Sequence, residues 1–180
     1  MRLFIILICW IFTFSANANI IDSIKEFFLT STYEESLEQN EIFPLSRSGE
    51  DQPIFIFSPK KHLWAVYNTK GKRVGLGKAN GGKDYCDDTQ GECRTVIGKF
   101  KIFRKENESC TSKTFPLNEG GGAPMPYCMF FHKGYAIHGA KHVTDTNKSH
   151  GCIHVSQKAA EWMNTHYLQE GSYVLVLPYS

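Results

Sequence analysis

The run Ser149-His150-Gly151-Cys152-Ile153-His154 sets one cysteine beside a glycine, and His138-Gly139 stands a short way upstream. A thiol becomes a strong nucleophile when a neighbouring base takes its proton, and imidazole suits that task near neutral pH. Gly151 lets the backbone turn tightly enough for N–H groups to face the oxygen of a carbonyl under attack. Residues of these types at this spacing are equipped for acyl transfer through a thioester at Cys152.

His138 ends the apolar run Tyr135-Ala136-Ile137, so a strand would deliver its imidazole at its end. It is read as the general base, taking the thiol proton and returning a proton to the leaving amine. His150 is the rival base, because residues two apart on an extended segment share a face. A turn at Gly151 breaks that rule. His150 is therefore read as a structural and substrate-contacting group whose backbone N–H joins those of Gly151 and Cys152 around the oxyanion, with exchange of roles between the histidines left open. Ser149 is expected to order the turn through its hydroxyl. A metal site is the competing reading, since His138 and His142 are four apart, as are His150 and His154. The glycines beside these histidines argue against helical pairs, and no Cys-x-x-Cys or His-Glu-x-x-His occurs. No metal and no cofactor are expected.

The cysteine count sharpens the reading. Arg2 precedes an apolar run from Leu3 to Phe14, and Ala16-Asn17-Ala18 offers small residues for cleavage, which predicts a signal peptide over 1–18 and a periplasmic or secreted protein. The apolar run is shorter than a membrane span requires, and no second one follows. Loss of the leader takes Cys9 and leaves Cys86, Cys93, Cys110, Cys128 and Cys152, an odd number in an oxidising compartment. Four cysteines allow three pairings. Cys86 with Cys93 and Cys110 with Cys128 are favoured because each closes a loop rich in turn residues, leaving Cys152 free. Charge is close to balanced, 20 basic against 18 acidic residues in the whole chain and 19 against 18 without the leader, which gives no case for nucleic acid as a partner.

These residues need a scaffold to hold them. Apolar positions Ile20, Ile21, Ile24, Phe27 and Phe28 predict an amphipathic helix from Ile20 to about Leu37, so residues 19–49 are read as an N-terminal helical arm and linker, and 50–180 as the catalytic domain. Within that domain, short β-branched and aromatic runs predict strands at Ile54–Phe57, His62–Tyr67, Arg73–Lys78, Lys99–Phe103, Met129–Phe131, Tyr135–Ile137 and Tyr173–Leu177. Turn residues separate them, and the class is mainly β, sandwich-like rather than a parallel sheet. One short helix, capped by Ser156 and running to about His166, is predicted after Cys152. The glycine-rich stretch Asn118 to Pro124 is read as a flap beside the site.

His138-Gly139 followed by Ser149-His150-Gly151-Cys152-Ile153 resembles the motif of the L,D-transpeptidases with the YkuD-type catalytic domain. Met125-Pro126-Tyr127 and Thr95-Val96-Ile97-Gly98-Lys99-Phe100 extend the resemblance, which covers roughly residues 53–178. It implies a β-sandwich-like fold with a groove under a flap, and peptidoglycan stem peptides as partners. Cys152 would attack the bond before the terminal D-alanine of a stem tetrapeptide. The acyl group would pass to an amine of another stem, to an acceptor lipoprotein or to water. The resemblance also implies His138 as base, the Gly139 carbonyl as its orienting group, the amides of His150, Gly151 and Cys152 as the oxyanion site, and Ser149, His154, Met125 and Tyr127 as substrate contacts. His154 departs from the family's usual arginine or asparagine, Val96 replaces a proline, and Gly139 to Lys148 is short. Such an enzyme would serve cell-wall biogenesis and cell shape. The alternatives are an L,D-carboxypeptidase and a non-catalytic wall- or host-surface-binding protein on the same fold.

Overall fold

A computed structural model of the chain describes residues 36–180. The expected leader and nearly all of the expected helix from Ile20 to Leu37 lie outside the described residues; residues 36–42 are helical. The chain divides into two compact units, Met1–Pro44 and Leu45–Ser180.

The second unit is mainly β. Its strands are β1 (Ile54–Ser58), β2 (Leu63–Tyr67), β3 (Arg73–Asn80), β4 (Gly98–Lys101), β5 (Arg104–Lys105), β6 (Met129–His132), β7 (Tyr135–Ala140), β8 (Ile153–Ser156) and β9 (Tyr173–Val176). They form one sheet in the order β4-β9-β1-β2-β3-β8-β7-β6-β5. Every residue of β1 is buried, which is why its sequence is an apolar run rather than an alternation. β3 belongs to both halves of the sheet: Arg73 to Lys78 pair with β2, whereas Ala79 and Asn80 pair with Val155 and His154 of β8. The sheet bends there and curls until its far strands approach, with the Phe100 ring of β4 at 5.7 Å from Phe131 of β6. Phe55, Phe57, Trp64, Val66, Val174 and Val176 from one half meet Met129, Phe131, Ile137, Ile153 and Val155 from the other in a single core. Burial of this apolar surface is the main force closing the two layers.

Two pairs, β1 with β9 and β7 with β8, run parallel, so the sheet is mixed. The expected strand Lys99–Phe103 ends at Lys101 as part of β4, the short β5 follows beyond it, and β8 was not expected as a strand at all. Its four residues are squeezed between the Gly151 turn and a helix cap. Ser156 Oγ does cap that helix, accepting from Ala159 N at 3.2 Å; Gln157–Trp162 is α-helical and Met163–Tyr167 continues it as a π-turn. Among the described residues no helix is long and apolar enough to cross a membrane.

Candidate active site

The parallel register of β7 and β8 builds the site. His138 is paired with His154 and Ile137 with Ile153. Side chains alternate between faces along each strand, so the face opposite the buried Ile137 and Ile153 carries Ala136 and His138 from β7 and His154 from β8. Cys152, two residues before His154, enters on this side, packed beside Ala136 and Phe130. The nucleophile candidate, at the entry to β8, and the His138 imidazole on β7 are thus held at neighbouring strands, which the sheet's own hydrogen bonds join. Both line one groove of about 1070 Å³, together with Met125, Gly139, Ser149, His150 and His154.

Cys152 is the free thiol, and the disulfides are Cys86–Cys93 and Cys110–Cys128, the favoured pairing. Each staples the base of a loop that forms a groove wall: Thr89 to Cys93 on one side, Thr111 to Phe115 with Ala123 and Pro124 on the other. The second wall belongs to the expected flap, whose strands are tied by Ser112 N to Ala123 O and Met125 N to Cys110 O.

His138 is 6% exposed, and its Nδ1 lies 3.0 Å from the Gly139 carbonyl. A carbonyl only accepts, so Nδ1 carries the hydrogen and Nε2 keeps its lone pair. Burial pushes the imidazole down to about 4, His154 lowers it further, and the Gly139 carbonyl opposes both. Burial also pushes the Cys152 thiol up to about 11, against a smaller opposite effect from the Ala136 amide. A thiol partly ionised at neutral pH is the ordinary expectation for a cysteine beside an imidazole. Desolvation works against that here, because it disfavours the charged form of both groups.

Gly139 is squeezed beneath the helix, where a Cβ would come 2.9 Å from Gln157 Cα, and its N–H donates to Pro126 O at 2.8 Å. Gly151 turns at φ 116°, and any Cβ there would overlap the Tyr135 ring. Ser149 orders this turn as expected: its buried hydroxyl accepts from Gly151 N at 3.0 Å and donates to Cys152 O. The Gly151 amide, one of the three expected around the oxyanion, is thus engaged by Ser149.

His150 points to the rim. Its Nε2 lies 2.7 Å from an Asp88 carboxylate oxygen, and the Phe115 ring stacks on it at 4.2 Å. One imidazole thus bridges the two disulfide-stapled walls. The contact holds the Asp88 carboxyl below the usual carboxylate range.

Tyr127 is not brought to the groove; it borders a separate depression with Asn107, Glu108 and Ser109. His142 is exposed. Among the described residues, the groups close enough to share a metal ion are Cys86, Cys93 and His150, and Glu106, Cys110 and Cys128. All four of those cysteines are in disulfides, and the histidine set weighed from the sequence forms no such group.

Residues read only as turn or surface prove to support the nucleophile. Gly81 O accepts from Lys148 N and Ser149 N, Gly81 N donates to Asn147 Oδ1 at 2.8 Å, and Gly82 N donates to Thr95 Oγ1 at 3.0 Å. The docking of the Gly81-Gly82 turn against Ser149 joins segments far apart in the chain.

A family model described as the L,D-transpeptidase catalytic domain matches residues 52–176, most of the chain. The chain belongs to this family. Solved structures agree with the fold. An L,D-transpeptidase from Xylanimonas cellulosilytica superposes with a TM-score of 0.61 at 22% identity, covering 73% of this chain and 63% of that one. One from Mycobacterium smegmatis gives 0.58 at 22% over 71% of this chain and 59% of that one. L,D-transpeptidase 1 of Mycobacterium tuberculosis gives 0.53 at 26% over 70% and 61%. The chain thus spans less than two thirds of the length of each of these L,D-transpeptidases. No curated protein sequence matches it.

Proposed function

We propose that this L,D-transpeptidase domain is an exported cysteine acyl transferase acting on peptidoglycan stem tetrapeptides. The observation that carries the reading is a free thiol just before β8 and a tautomer-locked imidazole on the adjacent parallel strand β7, both lining one groove. As substrate enters, Cys152 gives its proton to His138 Nε2 while sulfur attacks the carbonyl before the terminal D-alanine. The amides of His150 and Cys152 face the oxyanion. His138 returns the proton to the departing D-alanine amine, leaving a thioester. An acceptor amine then attacks that thioester, His138 takes its proton, and Cys152 leaves as the thiol.

Export rests on the leader over 1–18, and an oxidising compartment suits the two disulfides. The acceptor is an amine of a second stem or of an acceptor lipoprotein. Incubating the protein with purified tetrapeptide and weighing the products tests this. Crosslinked dimers are expected; tripeptide alone would mean that water is the acceptor. A protein forming neither product, and no acyl adduct at Cys152 with a carbapenem, would be a binding protein on this fold.

Gly151→Ala is expected to lower kcat about 100-fold, because the φ and the Tyr135 ring together force Cys152 to shift by a fraction of an ångström or more. Kinetics beside a melting curve check it. Unchanged kcat would mean that the turn tolerates a side chain.

A further inference from the structure

His154 is unused by the chemistry just described, yet it shares the face of β8 with Cys152 and is paired in register with His138. The two imidazoles meet edge to face, with ring centroids 4.7 Å apart and planes at 65°. On its other side His154 is paired with Asn80 of β3, so Asn80, His154 and His138 form one row across three strands. Asn80 is 2% exposed; its amide nitrogen donates to Thr144 Oγ1 at 3.2 Å, while its Oδ1 is buried without a hydrogen-bond partner. A buried amide oxygen is costly to leave unpaired, and the row sets it beside a ring that can offer an N–H.

We propose that His154 is a positioning residue for His138. The Gly139 carbonyl holds Nδ1 but still lets the ring swing about that hydrogen bond. The His154 ring, packed edge to face against His138, limits that swing and holds the imidazole in one orientation. Asn80 flanks His154 on the opposite side of the same row. The contact is one of ring against ring, which makes a planar six- or five-membered ring at position 154 the requirement rather than a charge. This assignment rests on the proposed acyl-transfer reading, in which His138 is the base.

The test compares His154→Ala and His154→Phe, with His154→Gln standing in if the alanine variant fails to fold. Two readouts are used: steady-state kinetics on stem tetrapeptide, and the rate at which neutral iodoacetamide alkylates Cys152. Removal of the ring is expected to lower kcat about 10- to 100-fold with KM within about twofold, and to slow alkylation similarly, because a displaced base costs the chemical step and not binding. His154→Phe is expected to recover most of the loss in both. A loss confined to KM, or equal losses in the alanine and phenylalanine variants, would overturn the proposal and make His154 a substrate contact. A wild-type protein that does not turn over tetrapeptide would overturn the acyl-transfer reading and this assignment with it, whereas wild-type turnover with an undiminished kcat in His154→Ala would overturn the assignment alone.

Discussion

Cys152→Ala is expected to bring turnover to background, a loss of about five to six powers of ten, with the fold intact. No other group in the groove can form the thioester, and removal of a nucleophile of this kind removes nearly all of the chemistry. The substitution deletes one sulfur that packs beside Cys110, Met125, Cys128, Phe130 and Ala136. Neither disulfide involves it, so the melting temperature of the unreduced protein should change by only a few degrees. Mass analysis after carbapenem treatment supplies the second check: the wild type gains one acyl group and the alanine variant gains none. Turnover well above background in the variant would place the nucleophile elsewhere.

His138→Ala is the next largest, a fall of about two to four powers of ten in kcat, the range for losing a general base. The pH dependence makes this sharper. Activity needs His138 neutral, and burial has moved its imidazole from the usual 6.5 to about 4. The acid limb of kcat/KM should therefore lie near pH 4, and the enzyme should keep full activity at pH 5.5, where an ordinary histidine would already be mostly protonated. The alkaline limb belongs to the thiol, near pH 11, above which no proton remains for the leaving amine. Stability follows the same burial. The folded imidazole titrates below its unfolded value, so the stability that neutral His138 supports is complete above pH 6.5 and is lost as pH falls toward 4, by about 3 kcal/mol at most. An acid limb near 6.5, or a His150→Ala variant as damaged as expected for His138→Ala while the latter stays active, would reverse the roles.

The strands were readable where local chemistry suffices. β1, β2, β6, β7 and β9 announce themselves as β-branched and aromatic runs between turn residues, and Ser156 marks its helix by the ordinary logic of capping. β8 was not, because four residues with a histidine inside carry too little pattern between a turn and a cap. The parallel pairings were equally hidden, since strand partners are chosen by long-range packing and not by the composition of either strand. Tyr127 shows the same limit: it is close to Met125 in sequence, yet Met125 lines the groove and Tyr127 faces a different depression.

By itself, the sequence determined the reactive atom. An odd cysteine in the Ser-His-Gly-Cys run, two loops each with its own cysteine pair, and a strand ending in His138-Gly139 are properties of residue type and short spacing. Only the tertiary structure decided where the two histidines stand, because the β7 and β8 register pairs His138 with His154 inside the groove while Asp88 and Phe115 hold His150 at its rim. It also decided that burial disfavours the charged forms of the thiol and the imidazole and that Ser149 takes the Gly151 amide. Register and desolvation are sums over atoms far apart in the chain, and a local pattern carries neither.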